Sequence, residues 1–135
     1  MDLIMSNQLA INEIYNLNKI TERYGLILSK KQITSLIKNR NTILKEFGRI
    51  EIGSGILEDI IYEFCDSLYI DKNNYYNNLI ELTRVFYLYQ DELENKLTDE
   101  QIIKYMKDNF DNICGGSIEF LESECLEKLK NELYS

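Results

Sequence analysis

The chain contains no histidine, no proline and no tryptophan, and only three cysteines among its 135 residues. Each absence closes off some chemistry. Without histidine there is no Ser-His-Asp or Cys-His nucleophile pair and no H-E-x-x-H zinc motif. The E-x-x-H ligand set that holds di-iron in ferritin-like bundles is missing as well. The cysteines are odd in number and form no C-x-x-C pair, so they give neither zinc-finger nor redox spacing and fit a reducing compartment. No metal and no cofactor is expected. No stretch approaches the ~18 consecutive apolar residues of a membrane span. The opening Met1-Asp2-Leu3-Ile4-Met5-Ser6 puts an acid where a signal peptide needs basic residues, so a cytoplasmic protein is expected.

Positive charge is also scarce, with 15 Lys and Arg against 23 Asp and Glu and a net charge of -8. Nucleic acid and anionic lipid are both repelled by such a surface. The best basic groupings, Lys30-Lys31 and Lys38 with Arg40, are small, so neither a nucleic-acid nor a membrane partner is expected. Mimicry of nucleic-acid charge would require the acids to line one face.

What is present is an ordinary globular mixture, 44% apolar and 28% charged, far from the composition of disordered chains. A chain of this length makes one domain, taken here as residues 1–135 with about the first six frayed. It should bury roughly two-thirds of its unfolded surface.

The dominant period is helical, and the punctuation is glycine and hydroxyl caps. Residues 8–24 carry Ile11, Ile14, Tyr15, Leu17 and Ile20 on a broad stripe that ends at Gly25. Ser29-Lys-Lys-Gln32 reads as a capping box opening a helix through Ile33, Leu36, Ile37, Leu44 and Phe47 to Gly48. A third helix, about 55–67, buries Ile56, Leu57, Ile60, Ile61 and Phe64. Helix 73–96 repeats Tyr75, Leu79, Leu82, Phe86, Tyr89 and Leu93 in heptad steps, with further apolar residues off the seam. That marks it as the central core helix of a bundle, with a dimer face as the other reading. Thr98-Asp-Glu-Gln101 is a second capping box, and Ser117 caps a last helix bearing Leu121, Cys125, Leu129 and Leu133. The sum is an all-α bundle of about six helices, with at most a short extended ribbon at residues 49–52.

The stretch from Phe47 to Ser67 holds two features that invite chemistry, a glycine pair around Ser54 and the run Cys65-Asp66-Ser67. Gly53-Ser54-Gly55 fails the dinucleotide fingerprint, because Glu58 stands where the third glycine belongs, and it fails the P-loop, because no lysine follows. Glu58 and Asp59 also use the helix dipole that a phosphate would need. Cys65 falls four and eight residues after Ile61 and Leu57, on the apolar stripe, and reads as an inert core thiol. Cys114 precedes Gly115-Gly116 and the cap Ser117, where helix amides could lower its pKa, although Asp108, Asp111 and Glu119 oppose that. Asp71-Lys-Asn73-Asn-Tyr75 begins like a calcium loop and then fails at its fifth, sixth and twelfth positions.

Three runs carry a family resemblance: Phe47 to Leu57, Phe64 to Ile70, and Tyr76 with Leu79, Glu81 and Leu82. Leu97 to Ile103, Phe110-Asp111 and Cys114 to Ser117 extend it over nearly the whole chain. In these the sequence resembles a family of small bacterial proteins of unknown function, family 6323 of the domains so described. The resemblance implies one family domain and carries over no activity, cofactor or catalytic residue.

A functional surface, if the loops form one, is expected where Gly53, Ser54 and Gly55, the helix end at Cys65, Asp66 and Ser67, and the turn Cys114, Gly115, Gly116 and Ser117 converge, since loops on a rigid scaffold host sites more often than helix faces. The leading expectation is a non-enzymatic interaction or regulatory module. It would self-associate or dock a protein partner through the aromatic-rich helix 73–96. The alternative is a small enzyme or ligand-binding domain using a thiol or carboxylates beside the glycine turns.

Overall fold

The computed structural model describes residues 3–135, with side chains from residue 7 onward. The first two residues and the next four side chains lie outside the described residues, and with them the expected fraying of the chain start. Six helices follow in order, and no strand forms among the described residues. They are α1 (Leu3–Thr21), α2 (Lys30–Glu46), α3 (Ile56–Phe64), α4 (Tyr75–Glu92), α5 (Asp99–Asn112) and α6, which runs over residues 118–134.

The caps lie where the residue types place them. Gly25 takes φ 74° and closes the short 3-10 turn Glu22–Tyr24 that extends α1. Ser29 with Gln32 and Thr98 with Gln101 form complete capping boxes, and the Ser117 hydroxyl accepts the amide of Phe120. Two helices stop earlier than their apolar patterns suggest. α3 ends at Phe64 because the chain turns through residues 65–70, with the Ser67 amide bonded to Phe64 O and the Ser67 hydroxyl accepting the Tyr69 amide. α4 ends at Glu92 because Glu94 and Asn95 adopt left-handed φ of 47° and 65° to reach the cap at Thr98.

α4 is the middle of the bundle, packed against α2, α3, α5 and α6. Tyr75, Leu79, Leu82, Val85, Phe86, Tyr87 and Tyr89 are all buried. The core reading of this helix therefore holds. Tyr75, Tyr87 and Tyr89 turn into their own chain, which leaves Tyr76, Ile80 and Leu88 as its partly buried apolar residues. On α1 the stripe is narrower than expected, since Tyr15 and Ile20 are exposed. Tyr15 lies under the Lys30 ammonium, 5.3 Å from its ring centre. Asn18, between them, ties α1 to the next loop by bonding both the amide and the carbonyl of Leu28.

α6 is one helical run with a wide turn inside it: Ile118–Phe120, then a π-helical turn Leu121–Cys125, then Leu126–Tyr134. A π turn displaces the regular ladder and leaves carbonyls to be satisfied from elsewhere. Buried Tyr89 and half-buried Tyr105 supply the donors. Tyr89 Oη donates to Leu121 O and Tyr105 Oη to Cys125 O, each at 2.6 Å.

The short ribbon allowed at residues 49–52 does not form. The segment is loop, and its alternation runs inside out: Ile50 and Ile52 are exposed while Glu51 points in.

Candidate functional site

The loop of residues 47–55 is organised by one buried cation. Arg40 sits on the apolar stripe of α2, four residues after Leu36 and three after Ile37, and is 1% exposed. A guanidinium removed from water must have its donors satisfied, and here four acceptors do so. Nη2 donates to Gly53 O at 2.9 Å and Nη1 to Ser54 O at 3.0 Å. Nε donates to Asn41 Oδ1 at 2.8 Å, and Nη1 also meets Glu51 Oε1 at 3.2 Å. Glu51 is in turn held by the Tyr87 hydroxyl, which donates to Oε2 at 2.6 Å. Burial, and then the neighbouring Glu51 carboxylate, push the Tyr87 phenol far above its ordinary pKa, so Tyr87 serves only as a donor.

The glycine turn and the start of α3 are closed to an outside anion because the protein supplies its own. Glu51 Oε1 accepts the Ile56 amide at 3.1 Å, and Glu13 Oε1 accepts the Ser54 amide at 3.0 Å. The Ser54 hydroxyl donates to Glu58 Oε2 at 2.9 Å. Two carboxylates therefore stand where a phosphate would bind a helix N-terminus. Gly55 has φ 52° and ψ -130°, and a Cβ there would collide with the Glu51 carboxylate. Its lack of a side chain serves this internal packing.

With Glu51 fixed inward, its neighbours are forced out. Ile50 is 91% exposed and Ile52 65%. Beside them a shallow cavity of about 400 Å³ opens between the end of α2 and the loop, lined by Leu44, Lys45, Gly48, Arg49 and Ile50. Lys45 and Arg49 make no ion pair among the described residues, so the rim of this apolar groove is positive on a chain of net charge -8. Arg40, Glu51 and Glu13 all fall outside the residues expected to form a site. One signal was available, a charged residue at Arg40 on the buried stripe of α2.

Of the three segments marked in the sequence, two approach each other and the third does not. Ser67 Oγ donates to Asp111 Oδ1 at 2.6 Å, and Lys107 Nζ bridges Asp66 at 2.7 Å and Asp111 at 3.0 Å. Gly116 faces Tyr69 so closely that a Cβ would strike its ring. The 65–67 and 114–117 segments are thus joined through Tyr69 and the end of α5. The Gly53–Gly55 turn lies at the opposite end of α3 from Cys65, about 15 Å away along a helix of that length.

The three thiols are free and at least half-buried. Cys65 is buried, donates to Tyr62 O at 3.2 Å, and is pushed up by burial and then by Asp66. Cys114 is half-buried, with its sulfur 3.4 Å from that of buried Cys125. Burial, then the hydrogen bond and charge coupling to Cys125, push Cys114 up to about 12. A different gathering of acids arises where α3 meets α5, in a groove of about 300 Å³ lined by Asp59, Glu63, Glu100 and Lys104. Burial, then Glu58, Asp99, Glu100 and Glu51, raise Asp59 above its ordinary 3.8.

The model of a family described as a family of unknown function (DUF6323) matches residues 13–135. The chain belongs to this family. No curated protein and no solved structure matches it. The DUF6323 match begins at Glu13 and takes in Arg40, the glycine turn, Tyr87 and all three cysteines.

Proposed function

We propose that this member of the DUF6323 family is a non-enzymatic interaction module that docks a protein segment on the 47–52 loop and the groove beside it. The observation that carries this reading is the outward presentation of Ile50, at 91% exposure, by a backbone anchored through Arg40, Glu51 and Tyr87. Exposed isoleucine is costly in water, and a rigid loop loses little conformational freedom on binding, so the two together favour association. The chemistry of the rim selects the partner. Lys45 and Arg49 flank the apolar groove, while Glu51 is neutralised within the fold, so the fitting segment carries an apolar anchor residue between carboxylates. Charge of that kind acts mainly on encounter rate and specificity, and a surface of this size suits a transient, salt-sensitive contact.

The alternative, a small enzyme or binding domain at the glycine turn, requires free polar groups there. Both Ser54 groups, the Ile56 amide and Glu51 are engaged internally.

Fluorescence anisotropy with two labelled peptides tests the proposal, one with leucine or isoleucine flanked by Asp and Glu, the other with Lys in place of the acids. Expected are binding of the acidic peptide only, weakening as salt rises, and loss of binding in both Ile50→Ser and Lys45→Glu. Equal binding of both peptides, or binding that survives Ile50→Ser, overturns it. So does a second copy of the chain as the occupant, seen in sedimentation as a dimer that Ile50→Ser dissociates.

A further inference from the structure

The pair Cys114 and Cys125 comes from two different structural devices that the α5–α6 turn brings together. Cys114 lies within the turn after α5, just before Gly115, and is half-buried, while Cys125 lies on the π turn of α6 and is 2% exposed. Their sulfurs are 3.4 Å apart. A disulfide needs about 2.05 Å between sulfurs, so the approach still required is within reach of side-chain rotation and a small shift of the turn. The turn has room for that shift at Gly115, which holds φ 58° with nothing within 4 Å of a Cβ position, while Gly116 is pinned by Tyr69. Eleven positions separate the two cysteines, which hides the pairing from any short-motif search.

We infer that Cys114 and Cys125 are a reversible modification site, oxidised to an intrachain disulfide by low-molecular-weight disulfides. The proposal is independent of docking at residues 47–52. Cys114, the more exposed thiol, gives up its proton to solvent, and its sulfur attacks one sulfur of the small disulfide. The protein–small-molecule S–S bond forms, the original S–S bond breaks, and the first small thiol leaves carrying a proton. Cys125 then attacks the Cys114 sulfur, loses its proton, and expels the second small thiol. Two protein thiols are oxidised and one small disulfide is reduced to two thiols, so the exchange balances. Burial keeps the small molecule from Cys125, which makes Cys125 the resolving partner. The high pKa of Cys114 makes the first step slow, on a scale of minutes to hours, and the second is hastened by the standing contact. Once formed, the bond staples the end of α5 to the π turn of α6.

The test uses the full chain, incubated with oxidised glutathione, then denatured, alkylated and digested with trypsin. Residues 108–128 contain both cysteines and no Lys or Arg before Lys128, so they leave as one peptide. Expected is that peptide two hydrogens lighter and unalkylated, returned to the dithiol by dithiothreitol, with Cys65 still alkylated. Cys125→Ser should retain a glutathione adduct on Cys114, and Cys114→Ser should leave Cys125 unmodified. Alkylation of both cysteines after oxidant treatment overturns the proposal, as does a stable glutathione adduct on Cys114 of the unaltered protein. An adduct on Cys125 in Cys114→Ser, formed as fast as the unaltered protein loses thiols, overturns the assigned order of attack.

Discussion

The hydroxyl of Tyr87 donates a 2.6 Å hydrogen bond to Glu51 across 36 positions of sequence, and that contact turns the side chain between two isoleucines into the core. The same carboxylate meets Arg40, so α2, α4 and the 47–55 loop share one polar centre. Removing the cation tests how far the loop depends on it. Arg40→Met removes the donors that Arg40 gives to the Gly53 and Ser54 carbonyls and to Asn41, and leaves Glu51 Oε1 with the Ile56 amide. It should cost about 3 kcal/mol in urea denaturation and expose the loop to protease at residues 48–53.

Glycine 55 gives a sharper local test, because conformation and space forbid a side chain there together. Its φ is 52° and the Cβ position is occupied by the Glu51 carboxylate. Gly55→Ala should cost about 3 kcal/mol or more, whereas Gly115→Ala, with φ 58° and open space, should cost about 1 kcal/mol. Equal losses in chemical denaturation would mean that backbone strain alone governs both.

Much of the scaffold was legible because its signals are local. Ser29, Thr98 and Ser117 cap the helices they announce, and the heptad of α4 is the buried core. The reading weakened where a long-range contact outweighed a local pattern. The alternation Arg49-Ile-Glu-Ile52 suggested a ribbon, but a buried arginine claimed Glu51 and reversed which residues face water. The expected meeting of three loops came only in part, because α3 holds its two marked ends apart. The Cys114–Cys125 contact depends on a π turn, for which the apolar spacing of Leu121, Cys125 and Leu129 gives no sign.

Two buried tyrosines of α4 should respond differently to loss of the same atom. The Tyr75 hydroxyl is buried beside Thr21 with no hydrogen-bond partner among the described residues, and burial raises its pKa strongly. Tyr75→Phe should therefore change stability by no more than about 0.5 kcal/mol, or improve it, while Tyr87→Phe deprives Glu51 of a donor and should cost about 1–2 kcal/mol. Thermal melts of the two variants decide this, and a larger loss at Tyr75 would place a partner on its hydroxyl.

The last prediction concerns pH and sets two carboxylates against each other. Asp59 is raised above 3.8 by burial and by surrounding acids, so its ionised form is less favourable folded than unfolded. That penalty is absent when both states are protonated, well below pH 3.8, and grows as pH rises through the folded pKa. Glu122 is lowered below 4.5, because Arg84 bonds its two oxygens at 2.7 and 2.8 Å. Its contribution is present above pH 4.5 and is lost as pH falls through the folded pKa. At pH 7, Asp59→Asn should raise the Tm by about 1–2 °C, and Glu122→Gln should lower it by a similar amount, because both groups keep much of their surface in water. Near pH 3 the Asp59→Asn difference should disappear and the Glu122→Gln difference should shrink. A scan in which Asp59→Asn lowers the Tm at pH 7 would show that the acids between α3 and α5 are not held at the expense of the fold.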